Sequence, residues 1–141
     1  MEMKNNICMA MKVLEEEQRI ISKDKMEFQF ICKSKAPDTI PFMLFGCKES
    51  EEPFTAYCIS NEGCIKTPFF RLEKLDLERC CAELSLLEAV DMDGCPTISC
   101  DEMYSLLKTK CCITVDLNCF CVISSLSPDL VDRTLPDIEP K

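Results

Sequence analysis

Two pairs of adjacent cysteines, Cys80-Cys81 and Cys111-Cys112, and the closely spaced Cys119 and Cys121 are the residues of this chain with the most chemistry to offer. A cysteine thiolate can ligate a metal, act as a nucleophile or form a disulfide. With no histidine in the sequence, a structural zinc site would need four thiolates, normally from two Cys-x-x-Cys pairs, and no such pair occurs. The same absence removes the usual dithiol oxidoreductase motif. Lack of histidine also excludes Ser-His and Cys-His catalysis and the histidine-containing iron triads. Asp91 and Asp93 resemble part of a calcium loop, but the third oxygen ligand and the closing Glu are missing, so a solvated turn is expected. No catalytic pair, metal or cofactor is expected, and disulfide chemistry remains. There are 13 cysteines, an odd number, so at least one thiol is free or bonded to another molecule.

The elements that position these sulfurs follow from hydrophobic spacing. Ile7, Met11, Leu14, Gln18 and Ile21 recur at threes and fours and predict an amphipathic helix capped by Asn5 or Asn6, with Glu15 and Arg19 paired on its outer side and an end near Ser22-Lys23-Asp24-Lys25. From residue 26 the pattern alternates. Phe28, Phe30 and Cys32 predict one strand, 40 to 47 a strand apolar on both sides, and 54 to 59 another. A turn at Asn61-Glu62-Gly63 then precedes a strand over 66 to 75. In 80 to 90 the even positions are mostly apolar, and in 111 to 123 the odd positions are. Asp91-Met92-Asp93-Gly94 predicts a turn, and Ser99-Cys100-Asp101-Glu102 predicts the start of a short helix through Lys108.

These elements predict one mainly β domain. Its expected plan is a helical arm over 1–25, an antiparallel β-sandwich over 26–127 with a jelly roll as one form, and a proline-containing tail over 128–141. Strand alternation then sorts the sulfurs. Cys32, Cys80, Cys111, Cys119 and Cys121 fall on apolar rows and are expected to be buried or bridged within the chain. Cys81 and Cys112 fall on the opposite rows, and Cys8 lies on the terminal arm. These three are the expected positions for bonds between molecules.

A formal charge of 16 − 25 = −9 argues against nucleic acid and anionic membrane surfaces as partners. The first residues lack a signal-peptide run, and no stretch has the length of a membrane span. A chain made in a reducing compartment with this cysteine count must bind metal, remain reduced, or meet oxidant after it leaves its place of synthesis.

Four segments resemble the spore coat and exosporium family of CotY, CotZ and ExsY: Asp38-Thr39-Ile40-Pro41-Phe42, Phe69-Phe70-Arg71-Leu72-Glu73-Lys74-Leu75, Cys81-Ala82-Glu83-Leu84-Ser85-Leu86-Leu87, and the stretch from Leu107 to Thr134. The last includes Cys112-Ile113-Thr114-Val115-Asp116-Leu117-Asn118-Cys119-Phe120-Cys121 and Leu126-Ser127-Pro128-Asp129-Leu130-Val131-Asp132-Arg133-Thr134. The family's Cys-Pro-Thr-Gly-Cys segment and histidine-rich tail are lacking, and Ser125 stands at what looks like a family cysteine, so the resemblance is to a divergent member. It implies a non-enzymatic, cysteine-rich shell protein made in the mother-cell cytoplasm and located in the spore coat or exosporium. It also implies self-assembly into an ordered layer reinforced by intermolecular disulfides, with family cysteines at Cys81, Cys112, Cys119 and Cys121. Its expected partners are copies of itself, as a homo-oligomer or lattice, and other shell proteins. Two other readings stand beside it: a small cytosolic metal or redox protein, and an adaptor that anchors another shell protein through the terminal arm.

Overall fold

The structure, a computed structural model, describes residues 6–32, 38–47, 52–61, 63–99 and 101–134. It is mainly β. One long helix, α1 (Asn6–Cys32), is followed by strands β1 (Phe42–Gly46), β2 (Ala56–Ser60), β3 (Gly63–Thr67), β4 (Phe70–Asp76), β5 (Cys81–Val90), β6 (Ser105–Asp116) and β7 (Phe120–Ser125). Five strands form an antiparallel sheet in the order β6-β5-β4-β1-β7, and β2-β3 form a separate hairpin.

The expected helical stripe is the one that is buried. Ile7, Met11, Leu14 and Gln18 are all less than a tenth exposed, and the apolar three join Phe42, Leu44, Phe70, Leu72, Leu84, Leu86 and Leu117 in one core. Glu15 and Arg19 pair at 3.5 Å on the outer side. Helix α1 does not stop near residue 25. It runs through Phe28, Phe30 and Cys32, where the alternation predicts a strand. The sequence from 6 to 36 holds neither proline nor glycine, so nothing in it ends a helix once propagation has begun, and three alternating apolar residues are too weak a signal to override it.

Two other boundaries move for identifiable reasons. The strand expected over 66 to 75 divides at Pro68, which has no N–H to give a ladder. Thr67 bridges the break, its hydroxyl donating to Leu87 O at 2.6 Å and accepting from Phe69 N at 3.1 Å. The short helix expected up to Lys108 is absent; residues 105–108 begin β6, because Leu106 is fully buried opposite Ala89 and the Tyr104 N–H is taken by Val90 O at 2.8 Å. The other face of the sheet has its own apolar cluster of Phe69, Leu87, Ala89 and Leu106. It is covered by Leu126, Leu130 and Val131 of the segment after β7, so residues 128–134 dock on the sheet where a free tail is expected.

Gln18 is the polar residue on the buried stripe, and its place in the sheet explains why. Strands β1 and β4 pair at Phe42↔Phe70, and two residues further along the ladder would bring Ile40 opposite Leu72. Instead the Gln18 amide stands between them, accepting from Ile40 N at 3.0 Å and donating to Leu72 O at 2.8 Å. One side chain thus completes the hydrogen bonding of two buried backbone groups and fixes the helix to the middle of the sheet. Gln18→Met keeps the volume and leaves both groups unpaired. It is expected to cost about 2–4 kcal/mol in a denaturant titration followed by circular dichroism, the sum of two unmet buried hydrogen bonds.

Candidate functional site

Among the described residues, six cysteines form disulfides within the chain: Cys8–Cys80, Cys47–Cys121 and Cys58–Cys111. Their Cα atoms lie 5.7, 4.9 and 6.2 Å apart, within the usual range. Each ties a different part to the large sheet. Cys8–Cys80 holds α1, Cys58–Cys111 holds the β2-β3 hairpin through β6, and Cys47–Cys121 joins the end of β1 to β7. Partners are 72, 74 and 53 residues apart for the pairs starting at Cys8, Cys47 and Cys58. In the chain-entropy account each such closure removes about 4 kcal/mol of freedom from the unfolded state.

Five further cysteines, Cys64, Cys81, Cys95, Cys112 and Cys119, carry free thiols; Cys81 is half-buried and the others are exposed. Cys100 and the Cys32 side chain lie outside the described residues, so the expected burial or bridging of Cys32 is a reading of the sequence alone.

Each adjacent pair divides into a bonded and a free sulfur, by strand alternation at Cys111-Cys112 in β6 and by the left-handed backbone of Cys80 just before β5. Cys80 is buried and bonded while Cys81, its neighbour, looks outward from the start of β5; Cys111 is bonded to the hairpin while Cys112 is exposed on β6. The pairings Cys81↔Asp116 and Ser85↔Cys112 put both free thiols on one face of neighbouring strands, on the side away from α1. Cys81 donates from Sγ to Arg79 O at 3.5 Å and lines a cleft with Lys74, Arg79, Glu83 and Thr114.

Two expected positions, Cys8 and Cys119, are corrected, and Cys121 is bridged within the chain as expected but from an outward place. Cys8 is 5% exposed and bonded to Cys80, because the buried side of α1 presses its first turn onto the sheet. Cys119 and Cys121 do not continue the inward row of β6. Asp116 accepts from Asn118 N at 2.9 Å and opens a 3-10 turn, Leu117–Cys119, that breaks the expected strand. A bulge follows, with Phe45↔Val122 and Gly46↔Phe120 leaving Cys121 as the extra residue. Phe120 takes the inward place, and Cys119 and Cys121 are both exposed.

Cys47, Cys58, Cys64 and Cys95 were not singled out from the sequence. The first two end or lie in strands, where a bonded cysteine reads like any small apolar residue. The last two follow the glycines Gly63 and Gly94, which adopt left-handed backbone at turns, and a cysteine beside such a turn is a legible sign of exposure.

A chain of polar groups crosses the outward face beside Cys112. Lys108 Nζ contacts Asp38 Oδ1 at 2.6 Å, and Thr39 donates to the same carboxylate at 3.0 Å. Arg71 Nε donates to Thr39 Oγ1 at 2.8 Å and its Nη1 meets Glu73 Oε2 at 2.6 Å; Ser85 donates to that oxygen at 2.7 Å. Burial pushes the Glu73 carboxyl up, but hydrogen bonds from Arg71 and Ser85 and the charges of Arg71 and Lys108 outweigh it and hold the group below its ordinary value. Partial burial, then the negative charges of Glu73 and Glu83, push the Cys112 thiol up. At neutral pH Cys112 is therefore held as the thiol, the slow form in exchange and oxidation.

The spore coat protein Z family model matches residues 18–128. Spore coat protein Z of Bacillus subtilis (strain 168) is 40% identical over 106 residues, an alignment covering 69% of this chain and 69% of that protein. No solved structure matches.

Removing one of the charges that hold Cys112 protonated must speed its reaction. In Glu83→Gln, alkylation of Cys112 by iodoacetamide near neutral pH is expected to run about two- to threefold faster than in the parent, the size of one screened surface charge. Mass spectrometry of the Cys112 peptide over time reads this directly, and the difference is expected to close at alkaline pH, where both thiols are ionised.

Proposed function

Because the chain belongs to the spore coat protein Z family, we propose that it is a non-catalytic building block of the spore coat that docks with copies of itself and with other coat components, and that bonds through Cys81 and Cys112 then lock the layer. The observation that carries this reading is the division of sulfur. Three disulfides brace the domain within, while Cys81 and Cys112 stand free on one face of a stiff sheet.

Assembly then has two stages. Weak lateral contacts come first, and a subunit held by several neighbours meets each remaining contact at high effective concentration. Thiols brought into register are oxidised or exchanged next, which turns a reversible layer into one that does not dissociate. Apolar surface for the first stage is present on the outer side of α1, where Met9, Val13 and Ile20 are 47%, 53% and 60% exposed at helical spacing. The inner stripe of the same helix is engaged with its own sheet, which favours a building block over an adaptor whose terminal arm is free to capture a partner.

Cys81→Ser/Cys112→Ser is expected to keep the parent's circular dichroism and thermal midpoint, since neither thiol takes part in an intrachain bond. On non-reducing gels it should lose most of the covalent multimers that the parent forms. An unchanged ladder would reject these two positions as the cross-linking sites.

A further inference from the structure

Each of the three disulfides has a free thiol one or two residues away along the chain: Cys81 beside Cys80, Cys112 beside Cys111, and Cys119 beside Cys121. The three bonds differ in access. Cys8 and Cys80 are 5% and 8% exposed under α1, and Cys58 of the hairpin and Cys111 of β6 are half-buried where the two meet. Cys47 and Cys121 are both exposed, at the open end of the β1-β7 pair. Cys119 is exposed in the same corner, on the 3-10 turn that leads into β7. Its carbonyl oxygen lies 3.9 Å from where a Cβ on Gly46, the residue before Cys47, would stand. Three cysteines thus gather at one exposed corner, two as a disulfide and one as a thiol.

We infer that Cys47–Cys121 is an exchange centre: it gives up its bond to a free thiol of a second copy and so becomes a link between molecules without any outside oxidant. This rests on the cross-linking function proposed above and names where the bonds come from. A thiolate from the outward row of one copy attacks one sulfur of Cys47–Cys121 in the next. A new intermolecular S–S bond forms as the old one breaks, and the other sulfur leaves with the electron pair and takes up the proton the attacking thiol released. One disulfide is lost and one gained, and the number of thiols is unchanged. Cys119 acts from inside. Its thiolate attacks the same bond to give a disulfide from Cys119 to Cys47 or Cys121 and frees the other, which keeps the corner exchanging until a neighbour traps it. The exposed bond is the reactive one because a thiolate must approach along the S–S axis, while Cys8–Cys80 is buried under the helix and Cys58–Cys111 is half-buried.

The test compares the full-length oxidised protein under argon and in air, with chelator present, at mildly alkaline pH. Under argon, covalent multimers are expected to grow on non-reducing gels while the free-thiol titre stays constant. Their rate should fall about tenfold for each pH unit below the thiol range, as the thiolate fraction does. Cys47→Ser/Cys121→Ser is expected to lose multimer formation under argon by tenfold or more while still cross-linking in air with loss of thiols. Multimers that form only in air, with two thiols consumed per bond, overturn the exchange and leave the cross-linking function standing. Multimers that persist under argon in the double variant overturn the choice of this disulfide. No multimers in either atmosphere overturn both. The parent's thiol titre decides the first question even if the variant folds poorly.

Discussion

An extended backbone sends neighbouring side chains to opposite faces, so an adjacent pair of cysteines in a strand cannot put both sulfurs on the same side. That constraint organises this molecule. In β6 the rule turns Cys111 inward, where it is bonded, and leaves Cys112 outside; Cys80, in left-handed backbone just before β5, is bonded under α1 and leaves Cys81 facing outward as the strand begins. Because β5 and β6 are paired, the two free thiols share a face with a fixed separation. A loop could not hold them so. The sheet converts a local rule of strand geometry into a pattern of reactive groups that is the same on every copy, which repeated intermolecular bonding needs.

The stiffness of that sheet comes from what lies behind it. The Gln18 amide stands in for a missing rung between Ile40 and Leu72, and Met11, Phe42 and Phe70 lie in the core with no exposed surface. The disulfides then add their restraint at three separate points, one each on the helix, the hairpin and the end of β1. The apolar core and the sulfur chemistry serve different ends here. Burial selects the fold, and the bridges make it hard to lose once oxidised.

Much of this was legible in the residues. The period of the first helix named its buried stripe down to Gln18, and the alternation around Cys80-Cys81 and Cys111-Cys112 sorted their sulfurs. Failures came where local geometry departs from the regular period. Helix α1 ran on through Cys32 because no residue stopped it, and the segment from Cys111 to Ile123 looked like a single row until the Asp116 cap and the bulge at Cys121 turned Cys119 and Cys121 outward. The pairing of cysteines was not legible at all. Three of the bonded cysteines sit at irregularities: Cys80 in left-handed backbone just before β5, Cys111 beside the register shift of β5 and β6, and Cys121 at a bulge. Such positions depend on contacts distant in sequence, which a periodic reading does not contain.

The account stands on which sulfurs are bonded within one molecule and which are free. Trapping the oxidised monomer with a thiol alkylator in denaturant, then mapping its peptides without reduction, measures this most directly. For the described cysteines the predicted result is Cys8 linked with Cys80, Cys58 linked with Cys111, Cys47 linked with Cys121 with Cys119 exchanging into that pair, and alkylated Cys64, Cys81, Cys95 and Cys112. Finding Cys81 or Cys112 in an intrachain bridge, or Cys80 and Cys111 alkylated in their place, would contradict it.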